Sequence, residues 1–230
     1  MPGGRLKDSA MRFMAVTAMV PPMEAFETIP WAVIRGGKTL RGGVPVPLGD
    51  IWPVLDQALD AHGKALLWDM DGIETNRPQL DLLRRFEGLG LWVDAGVRYA
   101  DGVIDVLVAG ADKAVVGTKS LWGLEELQEA FRLTENLLLQ IDFNGKILHP
   151  GRAEIEPVPQ DLARWVRDHG GDTILFMTAD APIDLAAVKS LASEIRVYAG
   201  VATAEQVPAL KEAGAAGAIV DLWEADGRTI

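Results

Sequence analysis

Residues 92–118, WVDAGVRYADGVIDVLVAGADKAVVGT, lie without a gap over residues 196–222, RVYAGVATAEQVPALKEAGAAGAIVDL, and eleven of the 27 paired positions are identical. Each copy reads as an apolar run, an amphipathic stretch closed by Gly110 or Gly214, and a second apolar run. A strand–helix–strand unit recurring at an offset of 104 in a chain of 230 residues restricts the fold to architectures made by doubling such units. Upstream the match continues more weakly, with VIRGGKTL (33–40) over IDFNGKIL (141–148) and ALLWDMD (65–71) over ILFMTAD (174–180). A chance pairing of Gly-, Ala- and Val-rich units is the alternative. A gapless match through strand, helix and strand weighs against it.

The rest of the chain keeps the same rhythm. Apolar runs occur at 29–35, 64–70, 90–96, 113–118, 137–143, 173–179, 195–200 and 217–222. Between them lie helical patterns such as DIWPVLDQALDAHG, RPQLDLLRRFEG, LEELQEAFRL, QDLARWVRDHG and AEQVPALKEAG, several ending in the glycine that a helix C-terminus favours. Continuous apolar strands separated by helices are parallel strands buried on both faces. Eight of them in ~190 residues fit a (β/α)8 TIM barrel of two (β/α)4 half-barrels better than a doubly wound open sheet. The expected division is an N-terminal extension over residues 1–28, packed on a barrel over 29–230.

Composition narrows the chemistry. With 49% hydrophobic residues the chain can fill one large core, and a net charge of -11 argues against nucleic acid or an anionic membrane as partner. The absence of cysteine removes disulfides, thiol catalysis and Cys-ligated metals. His62, His149 and His169 show no ligand spacing, and no apolar run reaches the ~18 residues of a membrane span. The expected location is the cytoplasm.

Four segments in order carry a family resemblance: WDMDGI (68–73), DAGVR (94–98), VVGT (115–118) and QIDFNGKI (140–147). They resemble the ends of strands 2, 3, 4 and 5 in the two-halved barrels of histidine biosynthesis, the phosphoribosylformimino-AICAR ribotide isomerase and its imidazole glycerol phosphate synthase relative. The wording VDAGVR, VVGTKSL and IDFNGKIL looks closer still to a divergent branch in methanogens and methylotrophs. That resemblance implies a role near tetrahydromethanopterin-linked one-carbon coenzyme biosynthesis.

It further implies phosphate loops after strands 3 and 4 and after strands 7 and 8, because glycine lets backbone N–H groups approach an anion closely. Gly96, Gly117 and Thr118 keep the first loop, and Arg98 could add a charge-assisted contact; these glycines could equally serve only tight strand–helix turns. Asp94 stands where the family has glycine, and Asp221 is the counterpart of Gly117, so a substrate with two phosphates is not expected. The family's acid–base pair comes from strands 1 and 5. Asp142 matches the strand-5 aspartate, while the strand-1 position falls on Val33 or Ile34, which cannot move a proton, so ribotide isomerase activity itself is not expected.

Strand alternation sets Asp69 and Asp71 on one side with Met70 opposite. With Asp94 and Asp142 they should converge on the rim, near Arg98, Thr178 and Asp180. The expectation is therefore an enzyme acting by acid–base chemistry on a small anionic or monophosphorylated metabolite. Asp142 and Asp69 would be catalytic, and Gly96, Arg98, Gly117, Thr118, Asp94 and Thr178 would bind substrate. No cofactor is called for, and Mg2+ is the one ion such carboxylates could hold. The alternative is a catalytically silent barrel that binds a ligand or a protein. Finally, only eight residues follow Leu222, too few for a full last helix. The apolar MRFMAVTAMVPPM (11–23) is the expected cover for that corner, on its own barrel or in a homo-oligomer.

Overall fold

The computed structural model describes residues 25–41, 44–150, 158–178 and 181–225. In chain order the elements are β1 (Glu27–Arg35), β2 (Lys38–Arg41), β3 (Val44–Pro47), α1 (Ile51–His62), β4 (Ala65–Asp69), α2 (Met70–Thr75), β5 (Leu91–Asp94), α3 (Ala100–Val108), β6 (Lys113–Gly117), α4 (Leu124–Leu133), β7 (Leu137–Asp142), α5 (Pro159–Asp168), β8 (Thr173–Met177), α6 (Leu185–Ala192), β9 (Arg196–Ala202), α7 (Val207–Glu212), β10 (Gly217–Asp221) and α8 (Leu222–Ala225). Strands β1 and β4 to β10 pair in parallel in that order, and β10 returns to β1 through Glu27↔Gly217 to Trp31↔Asp221. The sheet is thus a closed eight-stranded barrel with helices outside it, as the repeat requires.

Strand alternation explains why the runs are apolar throughout. One row, with Ile29, Val33, Leu66, Trp68, Trp92, Val115, Leu138, Leu175, Met177, Tyr198 and Ile219, fills the interior. The other row, with Leu67, Val93, Val116, Leu139 and Ile174, packs against Leu55, Val103, Leu127, Leu162, Val188 and Leu210 of the helices. Each fully buried aliphatic side chain stabilises by about 1.5–3 kcal/mol, so neither row tolerates a polar group without a partner.

The repeat is visible in the helix and the turn that closes it, while the strand register shifts by two residues between Trp92↔Lys113 and Tyr198↔Gly217. Moving α3 by 104 residues lands on the 3-10 turn Ala204–Gln206 plus α7, and moving β6 lands on β10. Gly110 N donates to Leu107 O at 3.0 Å and Gly214 N to Lys211 O at 3.0 Å; Ala109 N to Asp105 O at 3.0 Å matches Ala213 N to Ala209 O at 2.9 Å.

Two local expectations need correction. The stretch RPQLDLLRRFEG is not one amphipathic α-helix: α2 precedes it, Asn76 in a left-handed conformation (φ 57°) ends α2, and only a 3-10 helix forms over Leu80–Phe86. Pro78, just after that turn, cannot continue a helix. The antiparallel hairpin β2–β3 was also unforeseen; it extends β1 beyond the rim through Ile34↔Thr39.

That hairpin bears on the short last helix. α8 has four residues, and Trp223 from it donates its indole N–H to Leu40 O of β2 at 2.7 Å, with the Arg41 guanidinium 5.1 Å from the ring centroid. Trp223 is buried by these contacts. The hairpin and α8 therefore fill this corner together; of the expected extension over 1–28, residues 1–24 lie outside the described residues, and Glu27 and Thr28 already belong to β1.

Candidate functional site

Asp94 ends β5, Gly117 ends β6, and Gln140 and Asp142 lie at the end of β7. All four continue the inward row: Asp94, Gly117 and Gln140 stand two residues on from Trp92, Val115 and Leu138, and Asp142 two further. Polar side chains here meet at the C-terminal mouth of the barrel, the end where barrels of this architecture carry chemistry.

Gly117 makes the meeting possible. A Cβ on it would lie 2.9 Å from Asp94 Oδ2 and 3.1 Å from Asp142 Oδ2, closer than ordinary packing permits. The two carboxylate oxygens are therefore at most 6.0 Å apart (2.9 + 3.1), folded over the bare Cα. Between them sits Gln140, whose amide nitrogen donates to Asp94 Oδ2 at 3.1 Å and to Asp142 Oδ1 at 3.0 Å. The Gln140 carbonyl oxygen accepts the Trp68 indole N–H at 2.9 Å.

The carboxylates differ in their remaining partners. Asp142 accepts from the backbone N–H of Lys119 at 3.1 Å and the Thr118 hydroxyl at 3.4 Å, and the Lys119 ammonium lies 3.8 Å from its Oδ1. Asp94 accepts from the Gly96 N–H at 2.9 Å. Burial, reinforced by the Asp142 charge, pushes Asp94 up to about 7. Burial also raises Asp142, opposed chiefly by Lys119.

These groups line a cavity of about 230 Å³ with Trp68, Met70, Ile73, Glu74 and Lys119. Lys119 sits 5.6 Å from the Trp68 ring centroid, and Glu74 is paired with Arg35 at 2.5 Å. Hollows of about 420 and 430 Å³ open around the N-terminal ends of the strands, lined in part by Lys113 and Asp172. We place the site at the smaller cavity because the buried, perturbed carboxylates converge there.

Several expected site residues do other work. Asp69 belongs to the outward row with Leu67, one residue out of phase with Trp68 and Met70, and does not line the cavity. Its carboxylate caps α2, accepting from the N–H groups of Asp71 (3.1 Å), Gly72 (3.3 Å) and Gln79. Asp71 likewise holds loops together, accepting from Gly36 N and Gln79 Nε2, each at 2.6 Å. Arg98 is spent on acceptors of its own chain: Gly72 O at 3.1 Å, Gly96 O at 2.7 Å, Ile73 O at 3.0 Å and Asn76 Oδ1 at 2.9 Å. Gly96 is required by a neighbouring loop, since a Cβ would lie 2.4 Å from the Gly72 backbone.

The proposed anion loop is thus satisfied internally. The N–H of Thr118 donates to Gln140 O at 2.9 Å, and those of Ser120 and Leu121 to Gly117 O, each at 3.1 Å. Thr178 is buried and bonded to Gly200 O through both its N–H and its hydroxyl. Asp180 lies outside the described residues. Val33 points inward and Ile34 outward, so β1 brings no carboxylate to the mouth. Among the described residues no group of three or more His, Asp or Glu is arranged to hold a metal ion, and no helix is long and apolar enough to cross a membrane.

Sequence reasoning missed Trp68, Glu74, Lys119 and Gln140. A signal existed for Gln140: it interrupts LLLQID at an inward position, where a lone amide needs polar company. Lys119 and Glu74 sit on loop and helix positions whose direction no strand pattern sets.

A family model for histidine biosynthesis protein matches residues 49–222. Relatives named 1-(5-phosphoribosyl)-5-((5-phosphoribosylamino)methylideneamino) imidazole-4-carboxamide isomerase include that of Methanosarcina acetivorans, 28% identical over 224 residues, covering 85% of this chain and 91% of the relative. That of Methanococcoides burtonii is 29% identical over 224 residues with the same coverage. A bacterial relative from Bacillus mycoides is 27% identical over 168 residues, covering 66% of this chain and 70% of its own. The chain, a closed (β/α)8 barrel whose matched region runs from α1 to the end of β10, belongs to the histidine biosynthesis protein family.

Proposed function

We propose that this protein is an isomerase-like acid–base enzyme in which Asp142 and Asp94 move protons on a small metabolite held against Trp68. One observation carries the reading: two buried carboxylates face each other over Gly117 at a cavity, one of them poised near neutrality. Proton transfer at two substrate positions needs two groups of which one can give while the other takes. The family's strand-1 position falls on Val33 or Ile34 here, neither of them an acid, and Asp94, on β5, supplies the second group instead. Ribotide isomerisation itself is not part of the proposal.

The cavity bounds the reacting part of the substrate. At about 230 Å³ it is below the ~300 Å³ at which ligand pockets usually begin, and Lys119 also lines a hollow of about 460 Å³ with Lys146 and His149 that can take the remainder. With Arg98, Gly96 and Thr118 engaged by the protein, an anionic end would be met by Lys119, the one cation lining the described cavity. A single anionic group is then what the charge balance supports, because Asp142 and Glu74 already place negative charge there. The resemblance of VDAGVR, VVGTKSL and IDFNGKIL to the methanogen and methylotroph branch supports a substrate from one-carbon coenzyme biosynthesis.

The test does not require the substrate's identity. Protein is incubated with a metabolite extract in D2O and the small molecules are analysed by mass spectrometry. Enzyme-dependent deuterium uptake into one metabolite, lost in Asp142→Asn and in Asp94→Asn, is expected. A metabolite that binds without exchanging would instead establish the silent, ligand-binding barrel.

A further inference from the structure

We propose that Gln140, oriented by Trp68, is a positioning residue that divides the labour of the two carboxylates, holding Asp94 as the proton donor and Asp142 as the proton acceptor. The assignment rests on the proton-transfer reading of this site, but its physical basis is separate. An indole N–H can only donate, so the Gln140 atom 2.9 Å from Trp68 Nε1 must be the carbonyl oxygen. The amide NH2 is thereby turned toward the carboxylates, and its two hydrogens reach one oxygen of each. A neutral donor in this place bridges the acids without adding charge.

The bridge is symmetric and its surroundings are not. Asp142 has the Lys119 N–H, the Lys119 ammonium and the Thr118 hydroxyl besides Gln140. The hydroxyl hydrogen is available, because Thr118 Oγ1 accepts the Asp142 N–H at 3.0 Å and so has its own hydrogen left to donate. Asp94 has the Gly96 N–H and Gln140, and the ion pair belongs to Asp142 alone of the two. Two buried carboxylates with oxygens at most 6.0 Å apart (2.9 + 3.1) resist ionising together. The negative charge therefore settles where the donors and the cation are, on Asp142, and the proton on Asp94. In the forward step Asp142 removes a proton from one substrate atom while Asp94 delivers its own to another. The pair's total charge is unchanged, and once product has left, Asp142 gives up its proton and Asp94 regains one by exchange with solvent in the cavity, which resets the pair.

Infrared difference spectroscopy across the neutral range reads a protonated carboxyl directly, without substrate. A carboxylic-acid band that disappears with a midpoint near about 7 is expected in the wild type. It should be missing from Asp94→Asn and present in Asp142→Asn, where loss of the like charge moves its midpoint to lower pH. Trp68→Phe removes the N–H that fixes the amide and should raise the midpoint by about one pH unit or more, since a lost donor disfavours the ionised acid. Gln140→Met, which removes the donor at similar volume, should act in the same direction if Trp68→Phe folds poorly. A band lost from Asp142→Asn but kept in Asp94→Asn would reverse the roles and overturn the proposal. An unmoved midpoint in a folded Trp68→Phe or Gln140→Met protein would remove Gln140 from the positioning role. Failure of deuterium exchange with these spectra intact would instead defeat the proton-transfer reading alone.

Discussion

The unit 92–118 and its copy 196–222 share the helix and the bonds that close it, but their strand registers differ by two residues, Trp92↔Lys113 against Tyr198↔Gly217, and the facing pair of buried carboxylates lies at the first. In both, the paired glycine serves packing: a Cβ at Gly96, after β5, would strike the Gly72 backbone, and one at Gly200, inside β9, would lie 2.5 Å from Ile219 O. Three of the differing positions bear on the site. Asp94 has Tyr198 as counterpart, whose hydroxyl donates to Glu27 Oε2 at 2.5 Å at the opposite end of the barrel. Thr118 has Leu222, buried among apolar neighbours. Gly117 has Asp221, whose side chain accepts the Trp223 N–H at 2.8 Å. The shared positions build the strand–helix–strand unit, and the absence of one Cβ lets two carboxylates fold over β6 while β10 keeps its own side chain.

The strongest way to break this comparison is to erase that difference. Gly117→Ala puts a methyl group 2.9 Å from one carboxylate oxygen and 3.1 Å from the other, so one acid must move. Deuterium exchange should fall by about 10²–10⁴-fold, the usual contribution of a positioned acid or base. Asp221→Ala, at the equivalent place, should leave exchange unchanged and cost about 0.5–2 kcal/mol of stability as a lost cap. Comparable loss of exchange in both variants would mean that the second corner also belongs to the site.

A second difference is titratable. Asp94 has a folded-state pKa of about 7, above its ordinary value of 3.8, so the native state holds a proton that the unfolded chain has released. Its contribution to stability is fully present below about pH 4 and is lost as pH rises through about 7. Across that window wild type should lose up to about 1.4 kcal/mol per pH unit relative to Asp94→Asn, measured by denaturant unfolding at several pH values. Parallel stability curves for the two proteins would contradict a protonated Asp94.

Arg98 sharpens the account of the glycine loop. Its counterpart is Ala202, and its guanidinium holds Gly72 O, Ile73 O and Gly96 O. Arg98→Ala should cost about 1.5–3 kcal/mol, the range for bonds to a charged group, and leave weak binding of inorganic phosphate unchanged by calorimetry. A large loss of phosphate binding without loss of stability would restore the anion role. The smallest effect is expected at Trp223→Phe, which gives up one indole bond to Leu40 O and should lower stability by about 1 kcal/mol with exchange intact.

The barrel was legible because its strands are buried on both faces and therefore spell continuous apolar runs, while the helices between them end in glycine. The same property hid the site. In an alternating strand the row cannot be read at its end, and a shift of one residue sent Asp69 to the outer row while Trp68 and Met70 took the mouth. Asp94 and Asp142 were legible as inward acids. Gly117 was legible as a required glycine but not as to what needs the space, since a missing Cβ can admit a ligand or a neighbouring carboxylate alike. Arg98 could be read as an anion contact only because the carbonyls that hold it come from residues 72, 73 and 96, brought together by the fold.

The central claim is that the charged, titrating centre gathers where β5, β6 and β7 meet over Gly117, and not at the corner over Asp221 that the repeat pairs with it. Two indole N–H groups report on the two corners: Trp68, bonded to the amide that bridges Asp94 and Asp142, and Trp223, bonded to Leu40 O. Their nitrogen-15 resonances, assigned through Trp68→Phe and Trp223→Phe, can be followed from about pH 5 to about pH 9 in the free protein. The Trp68 signal should titrate with a midpoint near about 7, the value for Asp94, while Trp223 stays flat across that midpoint. A flat Trp68, or a Trp223 that titrates with it, would contradict a proton-sharing pair confined to the Gly117 corner.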